Sequence, residues 1–440
     1  MFYYERKGGE KMKKSRIIAI LAMISTLCVF LTACGSKKAS TSDQGTTKTP
    51  VKISFWTGLA GPYEKNLNKV ITDFNNSQKK YKVVATSQET YDKLNQKVMA
   101  AAKSNSLPVL GMASYTSLPD YKNNGFIENL NAMYKGMSAS QKKDIYSAFL
   151  SGSKIGNSYY SIPFSKSTRV MYVNEDILKK YNLEIPKTWE QMRKDGEVLK
   201  EHGIYAYGFD QSFQMEWEGL LHAAGVTPIT SAGKVKLSSS KAITAANFVL
   251  DMIKDGTAKS AGSDIYWTNS FVNGKSAFYI GSSAGMTAIK QVAPSSLNWT
   301  TAVVPSYEGK SGTEVAGNDI VLFKGASQEQ KQGAYAFMKY LLTSKATTKW
   351  AMLTGYVPLT KSAVKSKEYQ AFLKSNKRAK AAVESLPDSF STKSFVGYNE
   401  YYTDELNAFD SMLTKQTPAK DALTNLAKQA KKIISDNKNN

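Results

Sequence analysis

Three neighbouring segments decide the fold: Val51-Lys52-Ile53-Ser54-Phe55-Trp56-Thr57-Gly58, Leu67-Asn68-Lys69-Val70-Ile71-Thr72-Asp73-Phe74 and Tyr81-Lys82-Val83-Val84-Ala85-Thr86. In the first, Val51, Ile53 and Phe55 alternate with polar residues, the period of a half-buried strand, and Trp56-Thr57-Gly58 opens a loop that contains Gly61-Pro62. In the second, Leu67, Val70, Ile71 and Phe74 fall at i, i+3, i+4 and i+7 on one helical face, which Asn75-Asn76-Ser77 ends. The third reads as another strand. A strand, a helix and a strand in that order predict an α/β sheet with parallel connections.

The same alternation continues outward. Residues 91–104 read as a helix, Val109-Leu110 as an apolar strand, and Val170 to Val173 as another. Ala334, Phe337, Met338, Leu341 and Leu342 share one helical face, and so do Leu423, Leu426, Ala427, Ala430 and Ile433. At 440 residues the chain is too long for one ordinary domain and fits two domains behind a processed N-terminus. Its 42% hydrophobic and 21% charged residues exclude a multispanning membrane protein and a fully disordered one.

Upstream, Lys13, Lys14 and Arg16 precede the apolar run Ile17 to Phe30, with the length and flanks of a signal peptide. Met12-Lys13-Lys14 reads as the usual start of such a segment. The run is too short for a comfortable membrane span. It ends in Leu31-Thr32-Ala33-Cys34-Gly35, which looks like the lipobox of bacterial lipoproteins, where the cysteine carries a diacylglyceryl group and becomes the mature N-terminus. Residues 1–33 are thus expected to be removed. Residues 34–50 are expected to form the lipidated Cys34 and a flexible Ser/Thr/Lys tether. The only other cysteine, Cys28, lies inside the removed segment, so the mature body needs no disulfide.

The formal charge of +22 raises the question of a nucleic-acid partner. Only Arg6, Arg16, Arg169, Arg193 and Arg378 are arginines, and the lysines are scattered; base readout favours arginine forks, so a lysine-rich solvated surface is the better reading. Gly281-Ser282-Ser283-Ala284-Gly285 matches the nucleophile-elbow pattern of hydrolases, but His202 and His222 are the only histidines and both precede Ser283, against the order that elbow needs. Metal-ligand spacings and a dinucleotide fingerprint are lacking, and Gly274-Lys275-Ser276 follows Asn269 where a phosphate loop would need glycine. No catalytic residue, metal or cofactor is therefore expected.

Aromatic residues beside small polar ones stand out: Trp56, Tyr91, Tyr115, Phe213, Trp217, Tyr356 and Tyr398. A flat ring covers sugar C–H groups while polar neighbours satisfy the hydroxyls, so these seven are candidate ligand contacts.

A set of markers spread over nearly all of residues 51–435 resembles the bacterial extracellular solute-binding proteins of carbohydrate ABC importers, nearest the branch that binds glycerol phosphate and glycerophosphodiesters. They are Ile53-Ser54-Phe55-Trp56, Ser161-Ile162-Pro163-Phe164-Ser165 leading to Tyr172-Val173-Asn174, Pro186-Lys187-Thr188-Trp189-Glu190, Phe271-Val272-Asn273-Gly274-Lys275-Ser276-Ala277 and Thr354-Gly355-Tyr356-Val357-Pro358. The resemblance implies a two-lobed periplasmic-binding-protein-like α/β fold, with ligand in a cleft between lobes joined by crossover strands. Its first lobe would be 51–163 plus 318–356 and its second 164–317 plus 357–440. It carries ligand positions over to Tyr91, Tyr115, Ser167, Ser282, Gly317 and Tyr356, with Asn318 beside them. Two departures stand against the phosphate branch, which tends to have an acid where Tyr115 stands and an arginine in the late loop. Residues 390–403 hold no arginine, and Lys393 is the available substitute. The implied function is capture of a neutral sugar or oligosaccharide for a membrane permease, with a glycerophosphodiester or other phosphorylated polyol as the alternative and a secreted hydrolase or an adhesin ranked third. A monomer, anchored by lipid to the outer face of the cytoplasmic membrane, is expected.

Overall fold

The computed structural model describes residues 49–230 and 233–437. The signal-like segment, Cys34 and most of the tether lie outside the described residues. Ten strands make one large sheet: β1 (Val51–Thr57), β2 (Tyr81–Ser87), β3 (Leu110–Ser114), β4 (Ile162–Asn174), β5 (Tyr205–Phe209), β6 (Ala258–Ser260), β7 (Ser276–Ser282), β8 (Trp299–Ala302), β9 (Thr313–Leu322) and β10 (Ser389–Phe390). Their order is β2-β1-β3-β9-β4-β7-β5-β6, with β8 on β4 and β10 on β9.

The opening strand, helix and strand form as their periodicity requires. Helix Gly61–Ser77 starts with proline in its first turn, where a missing N–H costs nothing, and buries Leu67, Val70, Ile71 and Phe74. Helix Tyr91–Lys103 begins at Thr90, whose side chain accepts from the Lys93 amide. The helices predicted around Ala334 and Leu423 span Gln328–Leu341 and Ala419–Asp436. Among the described residues no helix is long and apolar enough to cross a membrane.

The expectation of parallel connections holds only toward the edges. There β1 runs parallel to β2 and β3, and β5 runs parallel to β6 and β7. In the centre β9 is antiparallel to β3 and β4, and β4 is antiparallel to β7. The physical reason is that β4 and β9 carry the chain through the middle of the sheet in opposite directions. All thirteen residues of β4 are buried, as befits a strand covered on both faces.

Two hydrophobic cores flank this centre. One gathers Ile53, Phe55, Leu67, Phe74 and Phe337 and reaches past β4 to Tyr172, Phe271 and Trp299. The other gathers Trp189, Tyr207, Phe209, Phe213, Trp217 and Phe409.

Where β9 passes β4 the register shifts between Asn318 and Asp319. Gly317 there has φ 103°, and a Cβ on it would lie 1.8 Å from the Ser165 carbonyl oxygen, so this close approach demands glycine. Beside it the buried Lys166 pairs with Asp319 at 2.6 Å, and Asp319 also accepts hydrogen bonds from Ser161 and, at 2.8 Å, Ser153. The crossing is thereby locked by backbone contact and by a satisfied buried charge pair.

Candidate functional site

Sheet register brings together residues that are far apart in sequence. Ser114, at the end of β3, pairs with Asn318 of β9, which pairs with Ser165 of β4. One step on, Gly317 faces Lys166 and Ala316 faces Ser167, and further along β4 Arg169 pairs with Ser282 of β7. Tyr115 follows Ser114 directly. Tyr115, Asn318, Gly317, Ser167 and Ser282 therefore form a row across four central strands. Asn318 and Ser167 are only 3% and 4% exposed, so any polar group they meet must come from within the fold or from an enclosed ligand.

Tyrosines close one end of the row. Tyr91 starts its helix and is 37% exposed, and its hydroxyl lies 3.3 Å from that of Tyr356. Burial raises the Tyr91 hydroxyl above its ordinary pKa, and the nearby Tyr356 and Asn318 side chains oppose that rise. Gly58 makes the room, because a Cβ there would come within 2.5 Å of the Tyr91 ring. Tyr356 follows Gly355, which ends helix Ser344–Thr354 in the left-handed conformation that suits glycine. Its ring stacks on Trp350 and meets Tyr63 edge-on at 6.0 Å. The Tyr63 hydroxyl donates to the Ala284 carbonyl at 2.8 Å, two residues after Ser282.

Burial, and next the neighbouring Tyr91, push the Tyr356 hydroxyl well above its ordinary pKa. It stays a neutral donor and acceptor at physiological pH.

Tyr63 and Tyr266 were not singled out by the sequence, although both meet the rule applied there, an aromatic beside small residues: Gly61-Pro62-Tyr63 and Gly262-Ser263-Asp264-Ile265-Tyr266. Tyr266 is 64% exposed and close enough to add to the raised pKa of Tyr63, Tyr91 and Tyr356. The residue before it, Ile265, holds φ 64°, a strained choice for a β-branched side chain. Its carbonyl accepts from the Gln211 amide at 2.7 Å.

Behind the row lies Arg169. It donates to Glu216 at 2.7 Å through Nε and to the Ile280 carbonyl at 3.0 Å, and Asp210 stands 3.5 Å away. Burial would lower this guanidinium, but Glu216 and Asp210 more than reverse that and hold it charged. Both cations of β4, Lys166 and Arg169, are thus tied to carboxylates.

At the other end Tyr115 meets Tyr398 edge-on at 5.7 Å. Ser282 is half-buried and its Oγ accepts from the Ala284 amide, capping the turn Ser283–Gly285. Trp56, the last residue but one of β1, has the Lys97 ammonium 4.9 Å above its ring and stands two residues before the Gly58 that adjoins Tyr91.

Phe213 and Trp217 are placed differently from the sequence expectation. Both are wholly buried, both pack edge-on against Phe409, and the Trp217 indole N–H donates to the Ala242 carbonyl at 2.9 Å. Phe213 precedes and Trp217 lies within helix Gln214–Ala223, which is buried along nearly its whole length, so the sequence neighbours that suggested a loop sit instead against the second core.

Ser283 is also fully buried, and its Oγ accepts from the Thr168 amide at 3.3 Å. His222 stacks on Phe390 and His202 on Tyr181, so neither imidazole serves it. Gly274, with φ 70°, makes the turn between helix Thr268–Val272 and β7.

Known proteins share this fold. The chain is 24% identical over 406 residues to the sn-glycerol-3-phosphate-binding periplasmic protein UgpB of Brucella melitensis, covering 87% of this chain and 93% of that one. The solved structure of UgpB from Mycobacterium tuberculosis in complex with glycerophosphocholine superposes with a TM-score of 0.77 at 20% identity, over 88% of this chain and 99% of that one. The sugar-binding protein MalE from Xanthomonas citri gives a TM-score of 0.78 at 17% identity, over 88% and 98%. The fold is thus the two-lobed α/β fold of periplasmic binding proteins. Residues 69–377 match the family model described as bacterial extracellular solute-binding protein, and the chain belongs to that family.

Proposed function

We propose that the protein captures a neutral sugar or oligosaccharide outside the cell and delivers it to the permease of an ABC importer. Ligand would sit along the row Tyr115, Asn318, Gly317, Ser167 and Ser282, with Tyr91, Tyr356, Tyr63 and Tyr266 covering it from one end. The lobes would be 51–163 plus 318–356 and 164–317 plus 357–440. The observation that carries the reading is that the row offers neutral hydroxyls, amides and rings while both β4 cations are already paired. Such a lining suits hydroxyl groups and sugar C–H faces better than a phosphate. The names of the glycerol-phosphate relatives favour the second reading, a glycerophosphodiester or other phosphorylated polyol, for which Lys393 would be the accessible cation.

Binding without turnover is part of the proposal, because Ser283 is enclosed and served by no histidine. The protein would act as a monomer. A thermal-shift screen over mono- and oligosaccharides, glycerophosphodiesters and peptides tests it. A ligand at a hundredfold excess over its Kd stabilises by about 2.7 kcal/mol, a plain rise in melting temperature. Stabilisation by peptides alone would refute both readings.

The lipobox-like Cys34 would anchor the mature chain to the outer face of the cytoplasmic membrane. Each buried acyl methylene contributes about 0.8 kcal/mol, and two chains make a durable anchor. Cys34→Ala should release the protein into the medium or leave it unprocessed in a form without lipid. Mass spectrometry finding the diacylglyceryl group on no residue of the wild type would contradict the anchor.

A further inference from the structure

The end of the sheet where the chain enters carries charge that nothing balances. Lys52 lies near the start of β1, Lys82 near the start of β2, and Lys79 and Lys80 just before β2; all four are exposed. The Val51 amide donates to the Lys80 carbonyl at 2.9 Å, so the two strand starts and the turn between them form one corner. In the parallel register Lys52 stands directly beside Lys82. Like charges set side by side on neighbouring strands repel. Residues 49–63 and 74–88 contain no acid, and no ion pair among the described residues involves any of the four lysines. Helix Gln328–Leu341 starts beside the corner, where Gln330 donates to the Lys52 carbonyl at 3.4 Å; its exposed Glu329 pairs with none of them.

The ordinary explanation falls short. Lysines commonly guard the open edge of a sheet against pairing with another chain, and β2 is such an edge. But β1 is paired on both sides, with β2 and β3, and Lys79 and Lys80 precede the edge strand. Position says what the charge meets. The chain before Val51 leads back to Cys34, the proposed lipid anchor, and a tether as long as residues 35–50 spans roughly 20–25 Å as a coil. The corner is therefore the part of the body held nearest the membrane. Anionic headgroups attract lysines that come within a Debye length of them, about 8 Å at physiological salt.

We propose that this corner docks on the anionic phospholipid headgroups of the membrane that holds the anchor, and that docking turns the solute row away from that surface. β1 rises about 3.3 Å per residue, which puts Thr57 roughly 20 Å from Val51. Gly58 follows, against the Tyr91 ring at the covered end of the row. The docked body thus presents its row to the exterior. To face a permease it has to release the headgroups, and a contact made by four exposed lysines, screened by salt, is weak enough to let go. The posture rests on Cys34 being the anchor, whereas the affinity of the corner for headgroups does not.

The test uses the mature chain carrying Cys34→Ser, so that only the protein surface can hold a membrane, and vesicles of equal parts phosphatidylglycerol and phosphatidylcholine. Co-sedimentation with these vesicles at low salt, and none with phosphatidylcholine alone, is expected. Changing Lys52, Lys79, Lys80 and Lys82 together to glutamine should weaken the binding by at least about tenfold, with the melting temperature unchanged or raised as the repulsion between Lys52 and Lys82 goes. Changing the exposed Lys420, Lys428, Lys431 and Lys432 to glutamine removes the same charge from helix Ala419–Asp436 and should leave binding nearly as it was. Posture is read by energy transfer to acceptor-labelled lipid from a dye on Asn76→Cys, beside the corner, or on Tyr266→Cys, beside the row. Strong transfer from the first and weak transfer from the second are expected. Absence of binding to the anionic vesicles, an equal loss in both lysine variants, or equal transfer from the two dyes would overturn the proposal.

Discussion

Trp217→Ala is expected to destabilise the protein by about 3–5 kcal/mol, the usual cost of emptying a large aromatic site in a packed core. Trp217 has no exposed surface, its ring sits 5.2 Å from Phe409, and its indole N–H is bonded to the Ala242 carbonyl. Truncation would leave a void and an unpaired buried carbonyl at once. The affinity of the molecules that remain folded should stay close to that of the wild type. Urea unfolding beside calorimetry reads both quantities. A large loss of affinity with unchanged stability would return Trp217 to the ligand site.

Arg169→Met should cost about 3–5 kcal/mol at neutral pH, because removing one partner of a buried pair strands the other. Glu216 is 4% exposed and would lose the guanidinium that now donates to it. The loss should depend on pH, and its sign follows from linkage. Burial already raises the Glu216 carboxyl, with Arg169 opposing that rise, so the variant would raise it further. A carboxyl whose folded pKa is raised stabilises fully below its ordinary value near 4.5, and that contribution is lost as pH climbs through the folded value. The deficit relative to wild type should therefore be smaller at pH 4.5 than at pH 8. An equal deficit at both would mean that Arg169 acts through packing and its bond to the Ile280 carbonyl alone.

Local order in this chain was legible from local pattern. The buried face Leu67, Val70, Ile71 and Phe74 follows from a 3.6-residue period, and the β1 alternation follows from a period of two. Strand direction in the centre was not, because whether β4 and β9 run with or against their neighbours depends on pairing across about 150 residues, which no local period encodes. The same distance hid the reason for Gly317. Its demand for glycine arises from the Ser165 carbonyl on another strand.

For the site, the neighbour rule of aromatic beside small polar residue led to two rings, Tyr91 and Tyr356, whose hydroxyls the fold brings within 3.3 Å of each other. It failed for Phe213 and Trp217, where the neighbours belong to a buried helix. It also had the means to find Tyr63 and Tyr266.

The central claim is that ligand lies along the row and is covered by its tyrosine end. Tyr91→Ala tests it most directly, because Tyr91 is 37% exposed and its truncation disturbs less packing than that of the buried Tyr356. The measurement is the Kd, by titration calorimetry on wild type and variant, of the sugar or glycerophosphodiester that most raises the wild-type melting temperature. An aromatic anchor contributes about 2 kcal/mol, so affinity should fall roughly thirtyfold with the melting temperature of the free protein nearly unchanged. An unchanged Kd in Tyr91→Ala would contradict the account.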